Sequence, residues 1–468
     1  MNRKPGTVLL LAAGLSALYL LWLVLYQTRP EVEPMPEPGQ LFGTTGVVLM
    51  FTAPFSWLVA GAVLLVRRGG QGQLVAAAVL VAPFAAVAVS RLVVELPLVL
   101  VCLPSTVFAL WGVRAWQRHR HMPAGLSLAA LGWGGLVAIS VAGGMNVLFL
   151  VYSRLWQAQA RSDTMSEGIR SGSFDLEDLV DEQLAIHQTV QTLNMVHAGV
   201  IEELAKGAGI AILYLLARRW FDSVLSGMVV GASVGLGFNL AESVEYMARG
   251  APEFQYWARQ SVMLFGAHTA FSALVGAGFG IARQVADPRR RRGVILLGFL
   301  MAMSGHFVYN AVGPSFTRWL QQLGFGDTVL AVAGPPVTML VLQGPYLLIG
   351  FLLLRGGVRA QTAGLSREFF VEAGSPHGAV TDAEVPVLLD PLRRWLLRVL
   401  AARRHGFAAY RHLGRLHAAQ LDLGMRLWHQ RRGEAGAHEP GETELRDRVL
   451  AIRAAAPLSP DRGEKVGT

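Results

Sequence analysis

Glu202 and Glu203 are adjacent in the apolar run NMVHAGVIEELAKGAGIAILYLLA, and Lys206 follows one turn later. A run of that length and composition crosses a bilayer as a helix. Each ionisable group at such depth costs roughly 2.5–3.5 kcal/mol on insertion scales, so three of them within five residues point to chemistry. On a helix Lys206 lies at i+4 from Glu202 and i+3 from Glu203, so its ammonium reaches either carboxylate, while the two glutamates point about 100° apart. One can be paired while the other faces a cavity. A buried ion pair that only fixed helix packing would need one glutamate, and here there are two.

Three further groups follow on the next apolar runs. Glu242 stands in GLGFNLAESVEY one turn after Phe238, close to the end of its run, where a solvated interfacial carboxylate would be unremarkable on its own. His268 stands in LFGAHTAFSALVGAGFG, and His306 with Asn310 in MAMSGHFVYNAVG, at i and i+4 on one helix face. A lone histidine in an apolar helix is ordinarily a hydrogen-bonded core residue, but these do not stand alone. At about 1.5 Å rise per residue, Glu202 lies ~12 Å, Glu242 ~6 Å, His268 ~15 Å and His306 ~9 Å from the same end of their alternating spans. All four therefore fall in one half of a hydrocarbon core about 30 Å thick. Imidazole and carboxylate together suit zinc, and a spare glutamate beside a metal-bound water is a general base for hydrolysis. Without metal, a glutamate and a histidine activate water directly while His306 and Asn310 stabilise an oxyanion. Either route hydrolyses a peptide bond within the membrane.

The elements that position these groups are membrane spans. Of 468 residues 53% are hydrophobic and only 16% charged, with a mean hydropathy of +0.41, which excludes an ordinary soluble protein. Apolar stretches over 7–26, 45–66, 73–90, 92–113, 124–152, 194–217, 223–245, 258–283, 293–312 and 329–354 predict an all-α, polytopic bundle of about ten spans. The first, preceded by MNRKPG, is too long for a signal peptide and lacks a cleavage site, so it is expected to remain as an anchor. Arginine marks alternate loops: Arg3 and Lys4, Arg67 and Arg68, Arg114 to Arg120, Arg218 and Arg219, Arg289 to Arg292, Arg355 and Arg359. The loops between them are acidic or nearly neutral, notably TRPEVEPMPEPGQ and SGSFDLEDLVDEQ, which places both termini in the cytoplasm and the reactive groups toward the outer face. The net charge of +9 is thus a topology signal, and no nucleic acid is expected as a partner. Cys102, the only cysteine, excludes an internal disulfide and a thiolate cluster.

The expected domains are N-terminal spans over 1–152, an extracytoplasmic segment over 153–193 with a short acidic helix, a catalytic membrane domain over 194–354 and a basic tail over 355–468. Within that tail DPLRRWLLRVLAARRHGFAAYRHLGRLHAAQLDLGMRLWHQRR interleaves arginine with leucine and tryptophan, as an amphipathic helix or hairpin on anionic lipid would. Beyond about Arg432 the composition reads as disordered. Gly227, Gly231 and Gly235 form a small-residue ridge for close helix packing. Gly231-Ala-Ser233-Val-Gly235 also matches GxSxG, but a nucleophile elbow needs a strand-turn-helix and this lies mid-helix. Gly324-Phe325-Gly326-Asp327 falls in a loop and lacks a second intramembrane aspartate.

Glu202-Glu203-Leu204-Ala205-Lys206 fits an EExxK motif, Phe238 to Glu242 fits FxxxE, and His268 and His306 stand in the two following spans. In that order, over roughly residues 190–315, they resemble the PrsW-like intramembrane proteases, relatives of the CAAX-processing and bacteriocin-processing membrane proteases. The resemblance implies a multi-pass protease of a bacterial inner (plasma) membrane that cuts a membrane protein, of the single-span anti-sigma-factor kind, on its extracytoplasmic side. It implies Glu202 or Glu203 as general base with the other held by Lys206. His268 and His306 would bind zinc or polarise water and substrate, Glu242 would be a ligand or orienter, Phe238 would support, and Asn310 would donate to an oxyanion. In the CAAX-type relatives a histidine stands where this chain has Glu242, which favours the PrsW branch and leaves the metal open. The alternative is a transporter, or a non-catalytic scaffold or sensor, using the same carboxylates. Inverted repeats would favour transport, and none is evident.

Overall fold

Lipid offers the backbone no hydrogen-bond partners, so apolar runs of this length satisfy their own amides as helices. The computed structural model follows that rule. It describes residues 4–27, 52–171, 176–434 and 440–455, which are helical and contain no strand. The acidic loop 28–40, residues 45–51 of the second expected span and the end of the tail from 456 lie outside the described residues.

The helices are α1 (Lys4–Gln27), α2 (Ala53–Val66), α3 (Gly70–Val94), α4 (Leu96–Ala115), α5 (Ala124–Gly132), α6 (Ile139–Ser171), α7 (Leu176–Leu216) and α8 (Val224–Arg249). There follow α9 (Ala267–Gln284), α10 (Pro288–Gln322), α11 (Asp327–Thr338), α12 (Gly344–Ala373), α13 (Val385–Leu389), α14 (Pro391–His405), α15 (Phe407–Arg431) and α16 (Glu442–Ala454). Wider π-helical turns over Trp133–Ala138, Tyr256–Val262 and Met339–Gln343 join α5 to α6, lead toward α9 and join α11 to α12. Among the described residues, seven segments are long and apolar enough to cross a bilayer: Gly70–Val94, Leu96–Ala115, Ala124–Glu167, Val224–Arg249, Pro252–Gln284, Pro288–Gln322 and Asp327–Ala373. The other three expected spans are α1 and α2, whose described apolar parts are shorter, and the second half of α7, which carries Glu202, Glu203 and Lys206. The pair divided only by Arg91 in the sequence is two helices, α3 and α4, parted at Glu95.

The chain divides into two compact units, residues 1–113 with 123–351, and residues 114–122 with 352–468. In the first, α8 is the central helix. Its start is fixed by a capping box in which Ser223 accepts from the Ser226 amide and Ser226 from the Ser223 amide. The glycine ridge does what its spacing predicts. A methyl group on Gly227, Gly231 or Gly235 would sit only 2.1, 2.0 or 2.2 Å from the carbonyl oxygens of Gly276, Ser272 and His268, so α8 and α9 touch backbone to backbone. On another face Gly237 meets the carbonyl of Leu131, and Gly134 meets that of Val234. Gly231→Leu is therefore expected to cost at least 1–3 kcal/mol of overpacking and to displace His268. Gly143→Ala, in α6 with no atom within 4 Å, should leave stability unchanged or raised. Melting both variants in detergent checks the contrast.

Residues 153–193 differ from the expected segment with one short helix. α6 runs on to Ser171 and α7 begins at Leu176, with Arg161 Nε donating to Gln183 Oε1 between them at 3.2 Å. Thirty-three residues of α6 make about 50 Å of helix, more than a ~30 Å hydrocarbon core, so this hairpin projects beyond it.

The described residues of the second unit pack as a helical bundle that includes the α14–α15 hairpin. Leu365, Phe369, Val380, Val385, Leu388, Leu421, Met425 and Trp428 form one core, and Leu416, Ala419, Leu423, Leu445 and Val449 another. The helix α16 occupies part of the region expected to be disordered. Leu445 and Val449 anchor its apolar side, and Arg446 makes a two-point ion pair with the buried Glu372 at 2.8 Å on both oxygens. Arg431 pairs with Glu368 in the same way, and Arg453 donates through Nη2 alone to both oxygens of Glu384.

Candidate active site

Side chains from four helices meet inside the first unit. Glu202, Glu203 and Lys206 come from α7, Phe238 and Glu242 from α8, His268 from the first turn of α9, and His306 from the middle of α10. The placement of α7 is set by close packing on both flanks, since a methyl on Gly207 would overlap the Phe299 ring and one on Gly209 the Trp133 ring. Trp133 Nε1 also donates to the carbonyl of Ala205, between the glutamates and the lysine, at 3.0 Å. His268 follows Ala267, whose φ of +39° lies in the left-handed region that alanine disfavours. The glycine ridge at Gly235, pressed against the His268 carbonyl, holds that turn in place.

Lys206 is fully buried, and its ammonium donates to Glu203 Oε1 at 2.5 Å and to His268 Nδ1 at 2.9 Å, with Glu202 Oε2 at 3.8 Å. Its charge also lies 4.3 Å from the centre of the Phe238 ring, a cation–π contact that gives the phenylalanine its supporting role. Because an ammonium can only donate, His268 Nδ1 accepts and its Nε2–H donates to Glu242 Oε2 at 2.7 Å. His306 repeats the pattern, Nδ1 donating to Glu203 Oε1 at 3.0 Å, which leaves Nε2 toward Glu202 Oε2 at 3.6 Å. Each histidine thus has one ring nitrogen held by its own carboxylate, Glu242 or Glu203. The remaining carboxylate, Glu202, is held through Oε1 by Asn146 Nδ2 at 3.2 Å.

The expected residues therefore converge, with two refinements. Glu242 lies beyond His268, its carboxylate shared between that ring and Arg259 Nη1 at 2.8 Å, so it orients rather than joining the central group. Glu202 takes the central place: Glu202, His268 and His306, all buried, each offer a donor atom, and these lie within 4.8 Å of one another. Asn310 stands one turn beyond His306, half-buried, with no hydrogen bond to these groups among the described residues. Two participants escaped the sequence reading. Arg259, in the π-helical turn Tyr256–Val262, was visible only as a lone arginine at the head of an apolar run, and Asn146 only as a lone amide within 124–152. Such π-helical turns recur at functional sites.

Glu202 Oε2 and His306 Nε2 are open to a divalent cation, whereas His268 is engaged at Nε2 by Glu242 and at Nδ1 by Lys206, so a cation held by all three would displace the ammonium from Nδ1. Glu202 Oε2 and Glu203 Oε2 are buried without a hydrogen bond. With neutral imidazoles, three carboxylates face two cations, Lys206 and Arg259, leaving the group one positive charge short, a costly state in low dielectric. Two histidines and a glutamate are a known catalytic zinc set with a fourth position open. The carboxylates behind the rings are the outer partners that ligating histidines require.

Residues 122–341 match the family model of the PrsW family intramembrane metalloproteases. The chain is also similar to Protease PrsW of Geobacillus kaustophilus (strain HTA426), 27% identical over 127 residues that make up 27% of this chain and 54% of the relative. The chain thus spans about half the length of the curated relative it matches. No solved structure matches it. The stretch similar to the PrsW family intramembrane metalloproteases thus carries every side chain of the cluster, from Asn146 to His306.

Proposed function

We propose that this chain is a peptidase that hydrolyses a peptide bond of a membrane protein inside the bilayer. The observation that carries the reading is the central trio Glu202, His268 and His306, with a separate carboxylate behind each imidazole. In the metal-free form of this reading Glu202 takes the proton of the attacking water, its Oε2 lying 3.6 Å from His306 Nε2 without a hydrogen bond. Glu203 is the glutamate held by Lys206, and it keeps the His306 tautomer. Glu242, itself held by Arg259, keeps that of His268. Asn310 is assigned as donor to the oxyanion of the tetrahedral intermediate. Glu202, His268 and His306 are the residues that would hold zinc, and a bound zinc would polarise the scissile carbonyl and lower the pKa of water.

The arginine-marked loops support both termini in the cytoplasm and so a cut near the outer face, and the resemblance to the PrsW-like proteases adds a bacterial plasma membrane and a single-span, anti-sigma-factor-like substrate. The division into N-terminal spans, 1–152, and catalytic spans, 194–354, belongs to the same reading, with Asn146 as the contribution of the first group to the second. A transporter would use the same carboxylates, but it has no need of two imidazoles each locked by a carboxylate.

The experiment is cleavage of a single-span membrane protein in proteoliposomes, before and after chelation. Chelation is expected to reduce cutting to background and zinc to restore it. Full activity after verified metal removal would end the zinc assignment and leave Glu202 acting alone. No cutting of any membrane protein, in a proteome compared with and without the active enzyme, would end the peptidase reading.

A further inference from the structure

The helix α14 is built inside out. Its sequence, PLRRWLLRVLAARRH, holds five arginines, one histidine and no acid. Arg394 points inward, 4% exposed, and donates to the carbonyls of Leu388 and Arg118, while Leu392, Trp395, Leu396 and Leu400 are 61, 49, 50 and 42% exposed. Those four recur at i, i+3, i+4 and i+8, so they make one stripe along the helix. Arg393, Arg403 and Arg404 are exposed beside and beyond it, and Phe407 just past the helix is exposed as well. The next helix shows the ordinary outcome, since α15 buries Leu416, Leu421, Leu423, Met425 and Trp428. The two helices look alike in sequence, but only α14 leaves its apolar side uncovered.

A contiguous apolar stripe rimmed by charge marks an interaction surface. We propose that α14 docks on an anionic lipid surface, with Leu392, Trp395, Leu396 and Leu400 at the acyl boundary and Arg393, Arg403 and Arg404 on lipid phosphates. The charge is complementary, because guanidinium groups bind phosphate oxygens in pairs, and tryptophan favours the headgroup level. A second copy of this face would set arginine against arginine. The chain enters this unit through α12, whose first residues belong to the candidate span Asp327–Ala373. Interfacial helices with this mix of leucine, tryptophan and arginine bind by buried apolar area plus attraction to anionic lipid.

The test uses the full chain carrying Leu396→Cys, labelled with an environment-sensitive fluorophore; the native Cys102 is buried. Proteoliposomes of phosphatidylcholine are compared with others containing phosphatidylglycerol. The expected result is blue-shifted emission, quenched by spin-labelled lipid, when phosphatidylglycerol is present. Replacing Arg393, Arg403 and Arg404 by glutamine should lower the ratio of docked to undocked label about fivefold per arginine, with unchanged helicity and melting. Emission typical of water in both lipids overturns the proposal. So does shielding that rises with protein density and ignores the lipid quencher, which would mean a second copy covers the stripe.

Discussion

Glu202→Gln is expected to lower cleavage by about 10²–10⁴-fold, the usual worth of a positioned general base, while the protein accumulates and melts like its parent. The asymmetry follows from how the two glutamates are held. Glutamine keeps the bond from Asn146 to Oε1, and the atom it alters, Oε2, has no hydrogen bond to lose. Glu203→Gln is the opposite case. Its Oε1 takes the Lys206 ammonium and the His306 ring together, so that substitution should reduce both activity and stability. Initial rates on a membrane substrate, set beside melting curves in the same detergent, separate the two. If Glu202→Gln cuts at the parental rate while Glu203→Gln is inactive yet stable, their roles are exchanged.

Lys206→Met is expected to destabilise the first unit by about 3–5 kcal/mol, because removing one partner of a buried pair strands the other's charge. The lysine is fully buried and serves Glu203, Glu202, His268 and the Phe238 ring at once, so methionine fills its volume but answers none of its charge. Adding Glu203→Gln to Lys206→Met should recover much of the loss, since the stranded carboxylate is then neutral. The two substitutions in contact are therefore strongly non-additive. Thermal or denaturant melting of the four-protein cycle measures this. A single Lys206→Met variant within about 1 kcal/mol of the parent would show that another group, Arg259 or a bound metal, neutralises Glu203.

The bundle and most of the site were legible in the chain. Apolar length makes a span without reference to neighbours, so the spans stand close to where they were expected. Charged and imidazole groups at one depth of those spans are rare enough to declare themselves, as Glu202, Glu203, Lys206, His268 and His306 did. The glycine ridge was legible because its four-residue period is a property of one helix. Arg259 and Asn146 were not, because a single arginine at a span's edge and a single amide within one carry no local period or motif. The same limit explains the tail. Both of its helices interleave arginine with leucine and tryptophan, and only packing shows that one apolar side is buried and the other left out.

What the sequence determined by itself is thus the membrane class, the approximate spans and which ionisable groups stand at one depth, since each depends on composition and on spacing along one helix. Only the tertiary structure decided which glutamate is bound to Lys206, which carboxylate stands behind which histidine, and that Glu202 rather than Glu242 completes the central trio. Those outcomes depend on how α7, α8, α9 and α10 are rotated and shifted against one another. Backbone contact at the glycines and the pull of Arg259 on Glu242 set that arrangement, and both arise between residues far apart in the chain.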